Sequence, residues 1–210
     1  MTDATKTLLK AIKNFNTEGL SELLFDNKSE VACNQRLCAA INKETSNYLA
    51  RVEYTNKDDS VSRADLVMIN RETGKVDLCT EAKQLCVFNI LAPLDSEKIY
   101  ADFHYYFNNL KTAIDKQNYI GSKICIMWTY GWDKFSDQPK MYLREKYFKD
   151  RNRKGLKNIS KPYNKKEIQQ KIKSIFKELD LSSIKSEILY AKDTHEGYKA
   201  YLIVTIGKVK

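Results

Sequence analysis

Two apolar stretches joined by a short polar turn place the tightest limit on how this chain can fold. Residues 64–70 carry the run Leu-Val-Met-Ile, and residues 76–83 carry a second, shorter apolar run. Residues 71–75 between them include Gly74, which can adopt the positive φ that a tight turn requires. Apolar runs of this length, bounded by turn residues, are typical of strands. The sequence therefore predicts a β-hairpin over residues 64–83.

Helices and further strands are predicted on both sides of this hairpin. Apolar residues recur at helical spacing through the first 47 residues, which predicts three helices, the third running from near Ser29 to about Glu44. Later helices are predicted over residues 97–117 and 164–179. Further strands are predicted over residues 48–54, 123–129, 187–192 and 198–206. This order indicates an α/β (α+β) domain with a mixed central β-sheet flanked by helices.

Length and composition favour one domain. The chain has 210 residues with only seven Gly and three Pro, so linkers between domains are not expected. No apolar run is long enough to cross a membrane, and the N-terminus lacks the apolar stretch of a secretory signal. We therefore expect a cytoplasmic protein without a membrane partner.

The cysteines and histidines argue against several kinds of site. The five cysteines are scattered without the C-x-x-C pairs of a zinc site, and only two histidines are present. Cys33, Cys79 and Cys125 fall within apolar patterns, where a free thiol packs as a small hydrophobe. Neither histidine has surroundings that mark it as a catalytic base. Zinc binding and Ser-His or Cys-His catalysis are therefore not expected.

Positive charge is concentrated in one segment. Residues 134–173 contain fourteen Lys and Arg against four Asp and Glu, an excess of +10 in a chain whose net charge is +9. Such a block indicates a surface that faces a polyanion. A solvated basic helix is the alternative, and charge alone does not separate the two.

Asp65, Glu81 and Lys83 are the residues that suggest chemistry. In a hairpin, Asp65 near the start of one strand can sit opposite Glu81 near the end of the next. Glu81 and Lys83 are two residues apart and project from the same face. Two carboxylates suit Mg²⁺, which can polarise a phosphate and activate a water. Lys83 could orient that water or offset the charge that develops on the phosphate.

The alternative is that Glu81 and Lys83 form an ordinary salt bridge on a solvated face. The residues around them, among them Leu66, Leu78 and Ala82, are apolar. Ionised groups at the end of a largely buried hairpin need partners or a metal ion, which favours a metal site.

The spacing of Asp65 and Glu81-x-Lys83, with an apolar strand around each, resembles the PD-(D/E)XK nuclease superfamily. That superfamily includes many type II restriction endonucleases, resolvases and repair nucleases. The resemblance extends over about residues 29–129, a helix, three strands, a helix and a strand. Ala64 stands where the motif's name has proline, at a position that varies in the superfamily. A restriction-endonuclease-like fold is what the resemblance implies.

The resemblance also implies residue roles. Asp65 and Glu81 would be metal ligands and Lys83 the catalytic lysine, with Mg²⁺ as cofactor and Mn²⁺ as a substitute. A glutamate on the helix before the sheet would complete the metal site; Glu30 is the candidate, with Glu22 and Glu44 as weaker options. Residues 1–210 would form a single nuclease domain, comprising a helical part (1–47), a catalytic core (about 29–130) and a basic DNA-contacting region (about 134–173).

The activity implied is Mg²⁺-dependent hydrolysis of double-stranded DNA by a site-specific restriction endonuclease acting as a homodimer, without a small-molecule cofactor. Three alternatives stay open: a structure-specific, repair, phage or RNA-directed nuclease of the same superfamily, a non-catalytic nucleic-acid-binding protein, and a domain whose basic loop meets an acidic protein.

Predicted nucleic-acid contacts lie beside the metal site and in the basic segment. Arg63 could contact phosphate or be an ordinary surface charge, and its position beside Asp65 favours the phosphate contact. Gln84 follows Lys83 and could contact substrate, brace the lysine or be an ordinary surface residue. The remaining predicted contacts are basic residues interleaved with aromatic ones: Arg144, Lys146, Lys149, Arg151, Arg153, Lys154 and Lys157.

Overall fold

In the part of the chain that the structure describes, eleven helices and strands follow one another in the predicted order. The computed structural model describes residues 1–25, 29–55, 63–87, 97–132, 164–195 and 199–209. The helices are α1 (Asp3–Lys13), α2 (Leu20–Phe25), α3 (Ser29–Glu44), α4 (Glu97–Asp115) and α5 (Lys165–Glu178). The strands are β1 (Tyr48–Thr55), β2 (Arg63–Asn70), β3 (Val76–Cys86), β4 (Ser122–Trp132), β5 (Leu181–Tyr190) and β6 (Ala200–Val209).

The six strands of the described residues form one mixed sheet in the order β1-β2-β3-β4-β6-β5. The pair β3–β4 is parallel, and the other four pairs are antiparallel. A parallel pair needs a crossover, which here contains α4. The prediction of an α+β domain with a mixed central sheet is confirmed.

Helices cover both faces of the sheet. Trp128 on β4 donates from Nε1 to Asn34 Oδ1 of α3 at 2.9 Å. Cys125, three residues earlier on the same strand, points to the other face and is paired with Gly207 of β6. A Cβ on Gly207 would lie 2.5 Å from the ring of Phe176 on α5. Helices α3 and α5 therefore lie on opposite faces.

The predicted central hairpin is buried, as its apolar runs required. Leu66, Val67 and Met68 on β2 are fully buried, so this strand is covered on both faces. Consecutive buried residues are typical of a strand that is enclosed between two layers of helix. Gly74 lies in the turn with φ +68, as the turn required.

One edge of the sheet, at β1, is partly closed by a side chain. Asn42 of α3 donates from Nδ2 to the Ala50 carbonyl at 3.2 Å and accepts the Ala50 N–H at Oδ1 at 2.8 Å. The amide group thus takes both backbone hydrogen bonds that a further strand would take from Ala50.

The predicted bounds differ most at β5. This strand begins at Leu181, six residues before the predicted start at Glu187. The missed part contains Ser182, Ser183 and Ser186, and polar residues are tolerated there because β5 is an edge strand of the sheet. Cys33, Cys79 and Cys125 are buried and free, as predicted. Within the described part of the chain, every helix is too short or too polar to cross a bilayer.

Candidate functional site

The candidate site forms where β2 and β3 separate. Their pairing ends at Leu66 and Thr80, whereas β3 continues beside β4 as far as Cys86. The next residue on each strand is Asp65 and Glu81, so the register brings these two carboxylates together as predicted. Asp65 Oδ2 accepts the backbone N–H of Ala82 at 2.7 Å.

Glu30 reaches the same edge of β3 from the first turn of α3. Its Oε2 accepts the backbone N–H of Gln84 at 2.7 Å, and its Oε1 lies 3.4 Å from Lys83 Nζ. N–H groups two residues apart on a strand point the same way. The carboxylates of Asp65 and Glu30 therefore accept alternate N–H groups along one edge of β3, at Ala82 and Gln84.

The other two glutamates proposed for this position lie elsewhere. Glu44 is at the far end of α3, about 21 Å along the helix axis from Glu30 at 1.5 Å per residue, where it pairs with Lys10 at 2.7 Å. Glu22 is exposed in the first turn of α2. Of the three glutamates, Glu30 is the one that the structure brings to Lys83.

Glu81 is the most enclosed of these carboxylates, with 6% of its surface exposed. Gln117, which follows α4, donates from Nε2 to Glu81 Oε1 at 2.5 Å. Burial raises the pKa of Glu81, and the Asp65 charge and a hydrogen bond to Asp65 raise it further. The hydrogen bond from Gln117 and the charge of Lys83 oppose this rise.

Glu30 shares this electrostatic environment. Burial raises the pKa of Glu30, the Lys83 charge lowers it, and the Asp65 charge raises it. Three carboxylates and one ammonium group therefore influence one another at the end of the hairpin. Carboxylates held this close favour a proton or a cation among them.

The donor set fits a hard divalent cation that keeps part of its water. No cluster of three or more histidine, cysteine, aspartate or glutamate side chains is preformed as a metal cage in the described residues. Mg²⁺ does not need one, because it usually binds through one or two carboxylates and retains several waters. The adjacent oxygens of Asp65 and Glu81 supply such a pair.

Gln84 faces the start of α3. Its Oε1 accepts a hydrogen bond from Ser29 Oγ at 2.6 Å, and its Nε2 is buried without a partner among the residues described. This placement suits the bracing of β3 against α3. A nucleic-acid contact by Gln84 stays the alternative to this bracing role.

Arg63 lies on the exposed side of the site. Its Nη2 pairs with Glu53 Oε1 at 2.6 Å, and both side chains are largely exposed. Glu53 has φ +50, an uncommon conformation for a residue with a side chain. The other predicted nucleic-acid contacts, Arg144, Lys146, Lys149, Arg151, Arg153, Lys154 and Lys157, lie outside the described residues.

Gln117 is the site residue that the sequence did not indicate. It falls just beyond Ile114, the last apolar residue of the α4 pattern, and no motif includes it. A polar residue after a helix is ordinarily exposed, whereas Gln117 is 3% exposed.

Comparisons with known proteins found no relative of this chain. The chain has no significant match among protein-family models, curated proteins or solved structures.

Proposed function

We propose that this protein is a Mg²⁺-dependent endonuclease that hydrolyses DNA phosphodiester bonds, with a restriction-endonuclease-like fold. The observation that carries the proposal is the placement of Asp65 and Glu81 side by side where two strands separate, with Lys83 two residues further on. This combination provides oxygen ligands for a metal ion and the nearby ammonium group of Lys83 at the end of a buried hairpin. It resembles the PD-(D/E)XK arrangement.

Asp65 and Glu81 would hold the metal ion, and Glu30 lies close enough to Lys83 to belong to the same site. A bound Mg²⁺ supplies charge to polarise the phosphate and to acidify a coordinated water. Gln117 and the Ala82 N–H hold the two carboxylates in place before any substrate arrives. Such preorganisation favours catalysis because the groups need not reorient during the reaction.

Lys83 has the freedom that a catalytic role needs. Its side chain is 33% exposed, and its contact with Glu30 is long at 3.4 Å. An ammonium group held this loosely can turn toward a phosphate or a water. Beside the scissile phosphate it would stabilise developing negative charge or orient the attacking water.

We propose double-stranded DNA as the substrate and a type II restriction endonuclease as the kind of enzyme. The basic excess of +10 in residues 134–173 supplies charge to bind a phosphate backbone. A homodimer would match a two-fold symmetric site and cut both strands.

The test is incubation of the full chain with plasmid and phage DNA, with Mg²⁺ or with EDTA, beside a Lys83→Ala variant. Lys185→Ala is the matched control. Lys185 also lies on a strand, pairs with a glutamate at 2.6 Å and is 25% exposed, but belongs to β5. Discrete fragments that need Mg²⁺, persist in Lys185→Ala and are lost in Lys83→Ala are expected.

Other outcomes of this test would favour one of the alternative functions. Nicking, or cleavage only of branched DNA, would favour a repair or resolvase-type nuclease on the same site. Salt-dependent DNA binding without cleavage under any divalent metal would overturn the enzymatic proposal and favour a binding protein.

A further inference from the structure

Gln117 links the two strands that carry the candidate metal ligands. Its Nε2 donates to Glu81 Oε1 at 2.5 Å and to the backbone carbonyl of Arg63 at 3.2 Å. Both hydrogens of the amide nitrogen are therefore used. One bond holds a side chain on β3, and the other holds the backbone of β2 two residues before Asp65.

We infer that Gln117 is a positioning residue that fixes the spacing and orientation of Glu81 and Asp65 for a divalent cation. The inference rests on the proposed function, because it treats both carboxylates as metal ligands. A glutamate's terminal torsion is broad and weakly restrained on its own. A buried donor on one oxygen restricts that torsion, and the bond to Arg63 ties the restraint to the strand of Asp65.

Packing alone does not require an amide at this position. The Oε1 atom of Gln117 is buried and has no hydrogen-bond partner among the residues described. A buried acceptor without a donor destabilises a fold. Leucine or methionine would fill similar space without that penalty. The polar group is therefore explained by its two donor bonds, one of which ends on Glu81.

Gln169 provides a matched control within the same chain. It lies on α5 and donates from Nε2 to the Ser186 carbonyl at 3.3 Å and to Ser186 Oγ at 3.1 Å. Its amide therefore also makes two donor bonds to a neighbouring strand, but that strand is β5, at the opposite edge of the sheet from β1. Gln169→Leu removes the same kind of linkage without touching Glu81.

The experiment measures Mn²⁺ binding to the full chain by the electron paramagnetic resonance of free Mn²⁺, in the absence of DNA. The wild type, Gln117→Leu and Gln169→Leu are titrated, and each is checked by circular dichroism and thermal unfolding in EDTA. Loss of a residue that orients a metal ligand typically weakens metal binding by about 10–100-fold. We expect that loss in Gln117→Leu and wild-type affinity in Gln169→Leu. If Gln117→Leu does not fold, Gln117→Met, which is closer in shape to glutamine, is titrated in its place.

The outcomes separate this inference from the proposed function. Equal Mn²⁺ affinity in the wild type and the Gln117 variant would overturn the positioning role and leave the metal site intact. An equal loss in the Gln117 and Gln169 variants would also overturn it, by showing a general structural effect. A wild-type chain that binds no Mn²⁺ would overturn the proposed function itself.

Discussion

Asp65 Oδ2 lies 2.7 Å from the backbone nitrogen of Ala82 and accepts its hydrogen bond where β2 has separated from β3. A carboxylate thus replaces the backbone carbonyl that an antiparallel neighbour would supply. The same side chain lies beside Glu81 and raises the pKa of that residue. Asp65 therefore has a structural contact and a proposed ligand role, which two substitutions can separate.

Asp65→Asn should keep the structural contact and lose the ligand, whereas Asp65→Ala should lose both. Asparagine retains an oxygen that can accept the Ala82 N–H, and a lost hydrogen bond typically costs about 1 kcal/mol. In urea unfolding with EDTA, we expect Asp65→Ala to be about 1 kcal/mol less stable than Asp65→Asn. Neither variant should cleave DNA. Equal stability of the two would show that the Ala82 contact does not stabilise the fold.

Glu81→Gln should stabilise the metal-free protein at alkaline pH. Burial and the Asp65 charge raise the pKa of Glu81 from 4.5 to about 8, so the folded state binds this proton more tightly than the unfolded chain. That contribution to stability is complete below pH 4.5 and is lost as the pH rises to about 8. Glutamine cannot ionise and removes this dependence.

Thermal unfolding in EDTA at pH 5 and pH 8.5 checks the prediction. For a chain of this size each kcal/mol of stability shifts Tm by about 2–4 °C. At pH 8.5 we expect the Tm of Glu81→Gln to exceed that of the wild type by at least this amount, and at pH 5 by less. Mg²⁺ should raise the Tm of the wild type but not of Glu81→Gln. A variant less stable than the wild type at pH 8.5 would contradict the assignment.

Gln84→Ala should change stability more than DNA affinity. Its side chain accepts from Ser29 Oγ and is partly buried, so its loss should cost about 1–2 kcal/mol in unfolding experiments. Arg63→Ala is the comparison, because Arg63 is exposed and predicted to contact phosphate. Fluorescence anisotropy with duplex DNA and Ca²⁺ should show weaker binding for Arg63→Ala and little change for Gln84→Ala. The reverse ranking would make Gln84 a substrate contact.

Gly121→Ala should destabilise the protein far more than Gly74→Ala. A Cβ on Gly121 would lie 2.4 Å from the backbone of Asp77, whereas a Cβ on Gly74 would meet nothing within 4 Å. Forcing β3 and the start of β4 apart should cost about 3 kcal/mol or more. Alanine at the positive φ of Gly74 should cost about 1 kcal/mol. Urea unfolding of both variants gives the comparison.

Replacing Lys149, Arg151 and Arg153 together by glutamine should weaken DNA binding and reduce its dependence on salt. Each phosphate contact contributes about 0.9 to the slope of log K against log salt concentration. If all three residues contact phosphate, the slope should fall by about 3. Substituting Lys6, Lys10 and Lys13 of α1 in the same way should leave it unchanged. An unchanged slope in the first variant would place the DNA surface elsewhere.

Periodicity predicted the order of the elements because each element presents an apolar pattern to the core. It located α3 from Ser29 to Glu44 and the hairpin around Gly74. It missed the first six residues of β5, where serines on an edge strand hide the alternation. The pairing of β3 with β4 joins residues distant in sequence, which no local pattern specifies.

The residues of the candidate site differ in how far the sequence could predict them. The hairpin explains why Asp65 and Glu81 approach one another, but their exact alignment depends on a β-bulge between Met68 and Ile69 that shifts the register by one residue. The spacing of the two residues in the sequence does not specify that bulge. Glu30 depends on how α3 packs against the sheet, and it was chosen from Glu22, Glu30 and Glu44 by resemblance. The position of Gln117 in the site depends on the path that the chain takes after α4. Its two hydrogen bonds connect separate strands, and such contacts have no signature in composition or spacing.

The amide of Asn42 sets a limit on how copies of this chain can associate. By taking the N–H and the carbonyl of Ala50, it occupies the two backbone positions at this residue that a strand lengthening the sheet from β1 would use. Another molecule could add there only by displacing that amide. Addition of a strand across Ala50 is thereby hindered, and a dimer that extends the sheet through this residue is not expected.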